Sequence, residues 1–467
     1  MTVTLNPQYT EWASTWQKMR DCMSQDLVKS AGSPAGTRYL PMTSGQRAAY
    51  EACSTDTAAY QAYVNRAEFR AALQTIIEDS LGLAFDKEWE IVVPDGLDDF
   101  VSNSTPEGAG LQMAMRDTVA EQLEVGRDGI LLDWTGGTSP TPYIVKYPAE
   151  SIVNWVDFLN TDTGEREIEQ VVLIEGSTVW RDGEWIDELS YRLLIVEDGE
   201  YVVYSGLSES EVDAPPESKR NEMQFGANKL AKIPFYFAGV TNYDPDVEQP
   251  PNLKAANLSL TDYVQSADHG QALFVQGQAT PWGAGIGVEE QDKVTMMGAT
   301  AIHLFSNENA KLEMAEVEGQ GLTEMRLSRE AVQAAIVECG VSLPAESSNE
   351  SGRALQMRLT SKTAGLRMVV ITCAKVYERM LKDLADLMGL ASDDITVTPY
   401  LGFGDQIVTL ADALTVWSLK SQGAPIPAEA AHAMLKLAGV PGLADFDGDS
   451  AMAATDGPSV GAIGGEE

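Results

Sequence analysis

Hydrophobic and polar residues follow two different periods along the chain, and each period predicts a different kind of element. Over roughly the first 130 residues, apolar positions recur every three or four residues, which predicts helices. Trp12 and Trp16 share one face, and the stretch "AAYQAYVNRAEFRAALQTIIEDSLGLAF" repeats the period until it stops at Gly82. Another predicted helix, at about residues 111–125, ends at Gly126 and leads into the strand "GILLDW".

Between Tyr143 and about Phe237 the period changes to two. The runs "YIVKY", "IVNWVDF", "IEQVVLIE", "YRLLIV", "EYVVYS" and "IPFYF" are separated by turn sequences such as "NTDTGE", "RDGE" and "EDGE". Alternating runs joined by short Gly- and Asp-containing turns are typical of antiparallel strands. This region is predicted to be all-β.

Helical spacing then returns in "NLKAANLSLTDYVQSADHGQALFVQG". Its apolar stripe is made of small and medium side chains, and its other face is rich in amides. This composition favours packing beside identical or similar helices over burial in a core. The stripe consists of Leu253, Ala256, Leu260, Tyr263 or Val264, Ala267 and Phe274.

The strongest helical signal lies at about residues 350–387, where apolar residues recur at three- and four-residue steps. A short polar run precedes it. The helix itself is basic, with seven Lys and Arg residues between positions 353 and 382 against the single acidic residue Glu378.

That basic helix is unusual because the whole chain is acidic. Its 467 residues include 70 Asp and Glu against 32 Lys and Arg, for a formal net charge of -38. A chain with this net charge repels nucleic acid, so we do not expect a general surface that binds DNA or RNA. The length predicts two to four structural units of roughly 100–200 residues each.

Targeting signals and membrane segments are not expected. The N-terminus has no signal-peptide pattern, and no apolar run approaches the ~20 residues that a membrane helix requires. The four widely spaced cysteines contain no CxxC pair and are interpreted as reduced thiols of a protein made in the cytoplasm.

No catalytic motif is recognisable. There is no GxGxxG, Walker, HExxH or GxSxG pattern, and the three histidines lie in separate predicted elements. The acidic residues 445–449 have the first spacings of a calcium loop, but Ser450 stands where that loop needs glycine. We therefore expect no enzyme activity, no cofactor and no metal.

The order of segments resembles a family of tailed-bacteriophage portal proteins, one otherwise labelled only as a domain of unknown function. Eight segments carry the resemblance in order, over roughly residues 6–390. They are "WQKMRDCMSQDLVKSAGSPAGTRYLP" with "YQAYVNRAEFRAALQTIIEDSLGLAF", then "VGRDGILLDW", "PYIVKYPAESIVNW", "YRLLIVEDGEYVVY", "IPFYFAG", "LSLTDYVQSADHGQALF" and "ESGRALQMR".

The resemblance implies an α+β portal fold that forms a ring, with a helical wing, inclined stem helices, a β-containing clip and a helical crown. On that basis the chain is divided as follows: 1–140, N-terminal helical part of the wing; 141–250, wing strands and clip; 251–277, stem helix; 278–342, wing strands and helix; 343–349, tunnel loop; 350–400, long wing helix and strand; 401–442, crown; 443–467, a disordered acidic and Gly-rich tail.

The resemblance also implies residue roles. The tunnel loop would face a central channel, and the basic helix behind it would either contact passing DNA or form ion pairs between subunits. The loop residues are Leu343, Pro344, Ala345, Glu346, Ser347, Ser348 and Asn349, and the basic residues are Arg353, Arg358, Lys362 and Arg367.

The implied function is a channel for genome packaging and ejection at one capsid vertex of the virion. The implied partners are further copies of the chain in a ring, usually of twelve, double-stranded DNA without sequence specificity, the terminase motor, a tail adaptor, and capsid or scaffold proteins. No membrane partner is expected. Two alternatives stay open: another virion component, such as a minor capsid or adaptor protein, and a metal-dependent hydrolase acting through acidic residues.

Overall fold

The computed structural model describes most of the chain. It covers residues 3–33, 36–53, 57–136, 140–161, 164, 166–181, 183–226, 228–277, 280–285, 307, 309–315, 320–340, 352–403 and 410–421. Contacts divide the chain into two units, one of residues 1–346 and 362–401, the other of residues 347–361 and 402–467. The first unit is an α+β structure, as the sequence predicts.

Helices dominate the N-terminal part and return after the β region. They are α1 (Pro7–Asp21), α2 (Gln25–Ser30), α3 (Ser44–Ala52), α4 (Ala58–Arg66), α5 (Ala72–Ala84), α6 (Asp98–Ser102), α7 (Leu111–Val125), α8 (Leu253–Gly277), α9 (Gln320–Cys339), α10 (Gly352–Met388) and α11 (Leu410–Ser421). Helix α11 belongs to the second unit, together with the first turns of α10.

The strands are short at the ends of the chain and long in the middle. They are β1 (Gly32–Ser33), β2 (Gly36–Thr37), β3 (Glu90–Val92), β4 (Arg127–Trp134), β5 (Pro142–Pro148), β6 (Ile152–Leu159), β7 (Arg166–Arg181), β8 (Glu184–Glu197), β9 (Glu200–Leu207), β10 (Arg220–Glu222), β11 (Gln224–Phe225), β12 (Asn228–Lys229), β13 (Phe235–Gly239), β14 (Thr280–Ala284), β15 (Lys311–Ala315) and β16 (Thr396–Thr398).

Two antiparallel sheets form the β region that the alternating pattern predicts. One has five strands in the order β10-β9-β8-β7-β6, and the other has three in the order β13-β4-β5. Every residue of β4 is buried, because it is the central strand and α7 packs against it. Four further two-stranded pairings complete the described sheets.

Gly126 makes the predicted junction between α7 and β4. Its φ of +82° is a left-handed conformation that glycine adopts without steric cost. A Cβ atom there would also lie 3.1 Å from the Glu248 carbonyl oxygen. Both constraints require glycine, so the helix ends where the sequence predicted.

One prediction for the N-terminal region is wrong. The run read as one helix up to Gly82 is split into α4 and α5, and α5 continues through Gly82 to Ala84. The break has a tertiary cause, because the Ser266 hydroxyl of α8 hydrogen-bonds both the amide and the carbonyl of Glu68, each at 2.9 Å. These contacts take Glu68 out of the helical hydrogen-bond pattern.

The long helix predicted at about residues 350–387 is confirmed as α10. From Thr363 onward one face of it is buried, and it packs on α7 and on the end of β13. The buried stripe matches the apolar positions read from the sequence. It includes Leu366, Val369, Val370, Cys373, Val376, Tyr377, Met380 and Leu384.

Candidate functional site: the α8–α9 helix pair and helix α10

Helix α8 packs inside its own chain along one face. Its neighbours are α4, α5 and α1 on one side and α9 on the other. The buried residues are mostly small or polar, which lets the backbones of adjacent helices approach closely. They are Ala255, Ala256, Ser259, Asp262, Tyr263, Ser266 and Ala267.

A buried ion pair joins α8 to α9. The Arg329 guanidinium donates to the Asp262 carboxylate, with Nε 3.1 Å from Oδ1. The amide nitrogen of Gln333 donates to the same oxygen at 3.1 Å. Asp262 is 2% exposed, so its charge is shielded from water and depends on these two donors.

Helix α4 is held against α8 by a second polar contact and a close backbone approach. The Tyr63 hydroxyl donates to Asp268 at 2.6 Å, and burial is the main reason why the pKa of Tyr63 is raised. Gly270 permits the approach, since a Cβ there would lie 3.3 Å from the Arg66 carbonyl oxygen.

The C-terminal part of α8 has an exposed apolar face. Arg66 lies over the Phe274 ring, with Cζ 3.7 Å from the ring centroid. Exposed apolar side chains continue from there onto α9. They are Val264, Leu273, Phe274, Val275, Met325, Leu327 and Val337.

The predicted stem residues therefore fall into two groups. Ala256 and Ala267 are buried within the chain itself, whereas Val264 and Phe274 are exposed. Leu253 and Leu260 are half-buried. The small-residue stripe serves packing inside one chain, which helical periodicity alone does not distinguish from packing between chains. A role in contacts between subunits stays a prediction for the exposed residues.

Strands β14 and β15 pair between α8 and α9. Thr280 lies opposite Ala315, and Ala284 lies opposite Lys311, in an antiparallel register. The paired strands thus lie in the connection between α8 and α9. Most of the residues between β14 and β15, which belong to the predicted segment of wing strands and helix (278–342), lie outside the described residues.

The basic residues of α10 do not share one environment. Lys375 and Lys382 both donate to Glu378 on the same helix, at 3.1 and 2.8 Å. Arg367 is half-buried. The side chains of Arg353, Arg358 and Lys362 lie outside the described part of the chain, as does the whole predicted tunnel loop, 343–349.

A buried polar group where α7, β4, β5 and α10 meet was missed by sequence reasoning. Asp128 of β4 accepts a hydrogen bond from Thr118 at 2.9 Å and lies 3.2 Å from the Lys146 ammonium. The Tyr377 hydroxyl lies 3.0 Å from that of Thr118. Burial raises the pKa of Asp128 to about 6, against the opposing effect of Lys146.

Arg127, the neighbour of Asp128, points into an aromatic environment. Its Cζ lies 4.0 Å from the Trp155 ring centroid and 4.4 Å from that of Phe237. Burial lowers the pKa of Arg127. Stacking between two rings stabilises a desolvated guanidinium through cation–π attraction.

The described residues contain neither a metal-binding cluster nor a membrane-spanning helix. There, no group of three or more His, Cys, Asp or Glu side chains is arranged to hold a metal ion. Within the same ranges no helix is both long and apolar enough to cross a bilayer. Cys22 and Cys373 are buried free thiols, and Cys339 is a half-buried one.

Residues 251–388 match a protein-family model described as "Domain of unknown function (DUF4055)". The matched segment begins just before α8 and ends at the last residue of α10. It contains the α8–α9 helix pair, the antiparallel strands β14 and β15, and the long helix α10. No curated protein matches the sequence.

Three solved chains are similar to this one over most of its length. One, from "Virion of native gene transfer agent (GTA) particle", is 12% identical with a TM-score of 0.41, covering 78% of this chain and 88% of that chain. One from "Neck of empty GTA particle computed with C6 symmetry" is 11% identical, with TM-score 0.40 and coverage of 82% and 93%. One from "Neck of native GTA particle computed with C12 symmetry" is 10% identical, with TM-score 0.38 and coverage of 84% and 99%.

Proposed function

We propose that this chain is a portal protein, a virion component that forms a ring at one capsid vertex and lets the genome pass through its centre. The observation that carries the proposal is the order of elements in residues 251–388. Helix α8 is followed by the antiparallel strands β14 and β15, then by α9, which packs on α8, and then by the long helix α10. The portal resemblance of the sequence implies this order, and the DUF4055 match covers the same segment.

In this proposal α8 is the stem helix, as predicted, and α10 is the long wing helix. Helix α9 is moved from the predicted wing segment 278–342 to the stem, because it packs on α8. The proposed tunnel loop, 343–349, then falls in the sequence between α9 and α10. The basic run begins just after it, at Arg353. Helix α11 belongs to the crown. Each assignment follows chain order within the proposed portal architecture.

The clip is better assigned to β14, β15 and the residues between them than to the β-rich region 141–250. A segment inserted between two paired helices projects from their shared end, where a clip must lie to reach the packaging motor. Strands β6 to β9, by contrast, form one sheet whose buried side chains pack with Tyr9 of α1. That position suits the wing.

The acidic composition fits a conduit. Each Lys or Arg that neutralises a phosphate adds salt-dependent affinity for DNA and would resist movement of the duplex. Twelve copies of a chain with net charge -38 repel the duplex if their acidic residues line the channel. DNA then passes without being held, and its sequence is not read.

The exposed apolar residues of α8 and α9 support a ring. Of the seven exposed apolar side chains on this helix pair, Phe274, Val275 and Met325 border one recess, and contiguous apolar patches mark interaction sites. Contact between neighbouring stems would bury them. The terminase motor, tail adaptor and capsid or scaffold proteins are the further partners of such a ring.

Negative-stain microscopy of the purified full-length chain tests the proposal. Closed rings with a central hole are expected, with about twelve subunits as the family resemblance implies, and terminase binding would separate a portal from another ring-forming virion component. A strictly monomeric particle at high protein concentration would contradict it. Calorimetric titration with magnesium, manganese and calcium tests the hydrolase alternative, which requires saturable binding lost when carboxylates are replaced.

A further inference from the structure

The five-stranded sheet ends in a projecting two-stranded segment. Strand β6 pairs with β7 only as far as Leu173, and β9 pairs with β8 only as far as Tyr191. Beyond those residues β7 and β8 pair only with each other, up to Arg181 and Glu184. We call residues 175–181 and 184–190 the ribbon; at ~3.3 Å per residue it extends about 23 Å from the sheet.

One face of the ribbon carries three exposed apolar side chains, with the hydrogen-bonded Thr178–Asp187 pair between them. Trp180 lies opposite Trp185 and Leu189 lies opposite Gly176, so these three side chains point to the same side. The two indole rings touch, with centroids 5.1 Å apart, yet Trp180 is 56%, Trp185 69% and Leu189 72% exposed. The other face carries the Arg181–Glu188 ion pair, with Nη1 2.6 Å from Oε1.

Contact between the two indoles does not account for this face, because both tryptophan residues remain more than half exposed. An isolated two-stranded hairpin is also only marginally stable. The three side chains expose on the order of 400 Å² of apolar surface, given that an aromatic side chain can bury ~150–250 Å². That is about half of the ~800 Å² that each partner contributes to a standard interface.

The opposite end of the same sheet contains a groove. A cavity of about 1290 Å³ lies between the last residues of β6, the first residues of β7, strand β13 and the C-terminal turns of α10. Apolar residues such as Phe158, Ile168 and Leu387 line it together with charged residues such as Arg379 and Asp383.

Exposed apolar side chains also border this groove. Phe158 and Leu159, at the end of the edge strand β6, are 45% and 61% exposed. Asn6 covers the free edge of β6 nearer its start, bonding the carbonyl oxygens of Val153 and Trp155. The end of the strand, at Phe158 and Leu159, lies beyond these contacts and carries the apolar surface.

We infer that the ribbon of one copy of this chain inserts its Trp180–Trp185 face into the groove of a second copy. Because the projection and the recess lie at opposite ends of one sheet, each copy can contact the next one head to tail. Such contacts form a closed ring when the rotation from copy to copy adds up to one full turn. The contact buries both exposed apolar surfaces at once. This inference rests on the proposed ring. It adds a second interface between subunits, separate from the α8–α9 helix pair.

The first experiment measures assembly of the double variant Trp180→Ser/Trp185→Ser by mass photometry over a dilution series. The concentration at which rings half-dissociate should rise about thirtyfold, because central tryptophans commonly dominate interface energetics. Met113→Ser is the matched control, since Met113 is 50% exposed on α7 and belongs to neither the ribbon nor the groove. Circular dichroism and the thermal midpoint verify that the variant folds.

The second experiment identifies the partner surface. Cys53 and Cys339 are replaced by Ser, leaving the buried Cys22 and Cys373, and Leu189→Cys carries a thiol-linked benzophenone. Assemblies mixed from ¹⁵N-labelled and unlabelled chains are irradiated and their crosslinked peptides mapped. The expected product joins the probe on one chain to residues 156–169 or 228–237 of another.

Three outcomes would overturn the inference. If the double variant's rings half-dissociate at the same protein concentration as wild-type rings, the ribbon is not part of an interface between subunits. Crosslinks within one chain, or to a region outside the groove, would show that the partner surface is wrong; in both cases the proposed ring stands. A wild-type chain that stays monomeric would remove the proposed function along with this contact.

Discussion

The Asp262 carboxylate of α8 accepts a hydrogen bond from the Arg329 guanidinium of α9 at 3.1 Å, and both side chains are largely shielded from water. Helix α9 has little other buried surface, with Ile336 its one fully buried apolar residue among those described. The ion pair therefore sets how α9 lies on α8. In the proposed portal, it fixes the geometry of the stem.

Replacing Asp262 with Ala should destabilise the chain by about 3 kcal/mol, because it leaves Arg329 charged, largely buried and without its carboxylate. Chemical denaturation of the variant measures the loss. The control is Glu330→Ala, whose exposed pair with Arg326 should contribute less than about 1 kcal/mol. Equal losses in the two variants would mean that burial does not strengthen the Asp262 contact.

Gly270→Val and Gly365→Ala should have opposite effects, although both glycines lie within helices. A Cβ at position 270 meets the Arg66 backbone, and overpacking of this kind costs about 1–3 kcal/mol. A Cβ at position 365 meets nothing within 4 Å, so alanine should stabilise α10 by up to about 1 kcal/mol. Thermal unfolding compares them; a stabilised Gly270→Val variant would show that α4 and α8 do not approach closely there.

The pH dependence of stability should change when Asp128 is replaced with Asn. Burial raises the pKa of Asp128 to about 6, so the folded chain binds this proton more tightly than the unfolded chain, whose Asp pKa is about 3.9. The resulting stabilisation is fully present at low pH and is lost as pH rises from about 4 to 6.

The free energy of unfolding of the wild type, minus that of Asp128→Asn, should therefore fall over this interval, by at most about 3 kcal/mol. Urea titrations of both proteins at several pH values provide the difference, which cancels the many other carboxylates. A constant difference would indicate that Lys146 compensates fully for the burial of Asp128.

Replacing both Arg353 and Arg358 with Gln separates the two interpretations of the basic run. If these residues form ion pairs between subunits, rings should dissociate at lower salt concentration than wild-type rings, because screening weakens such pairs. Lys375→Gln is the matched control, since Lys375 already has Glu378 as a partner on its own helix. Rings of unchanged stability combined with failed DNA packaging would instead assign the two arginines to the channel.

Much of the fold could be predicted from the sequence because local pattern and local structure coincide there. The boundary at Gly126, the strands between Tyr143 and Phe237, and the buried face of α10 all follow from periodicity and turn residues. The candidate site was only partly predictable. Asp262 lies among Ser259, Tyr263 and Ser266 on the buried face of α8, and an acidic residue at such a position is the signal that could have revealed the ion pair.

The sequence by itself determined most of the secondary structure, the acidic charge and the order of elements on which the portal proposal rests. These depend on neighbouring residues and on composition. Only the tertiary structure decided which surface each stripe meets: Ala256 and Ala267 pack inside their own chain, Ser266 breaks the helix before α5, and Trp180 and Trp185 project on a ribbon. Periodicity specifies a face of an element, but the partner of that face is chosen by contacts between residues far apart in the chain.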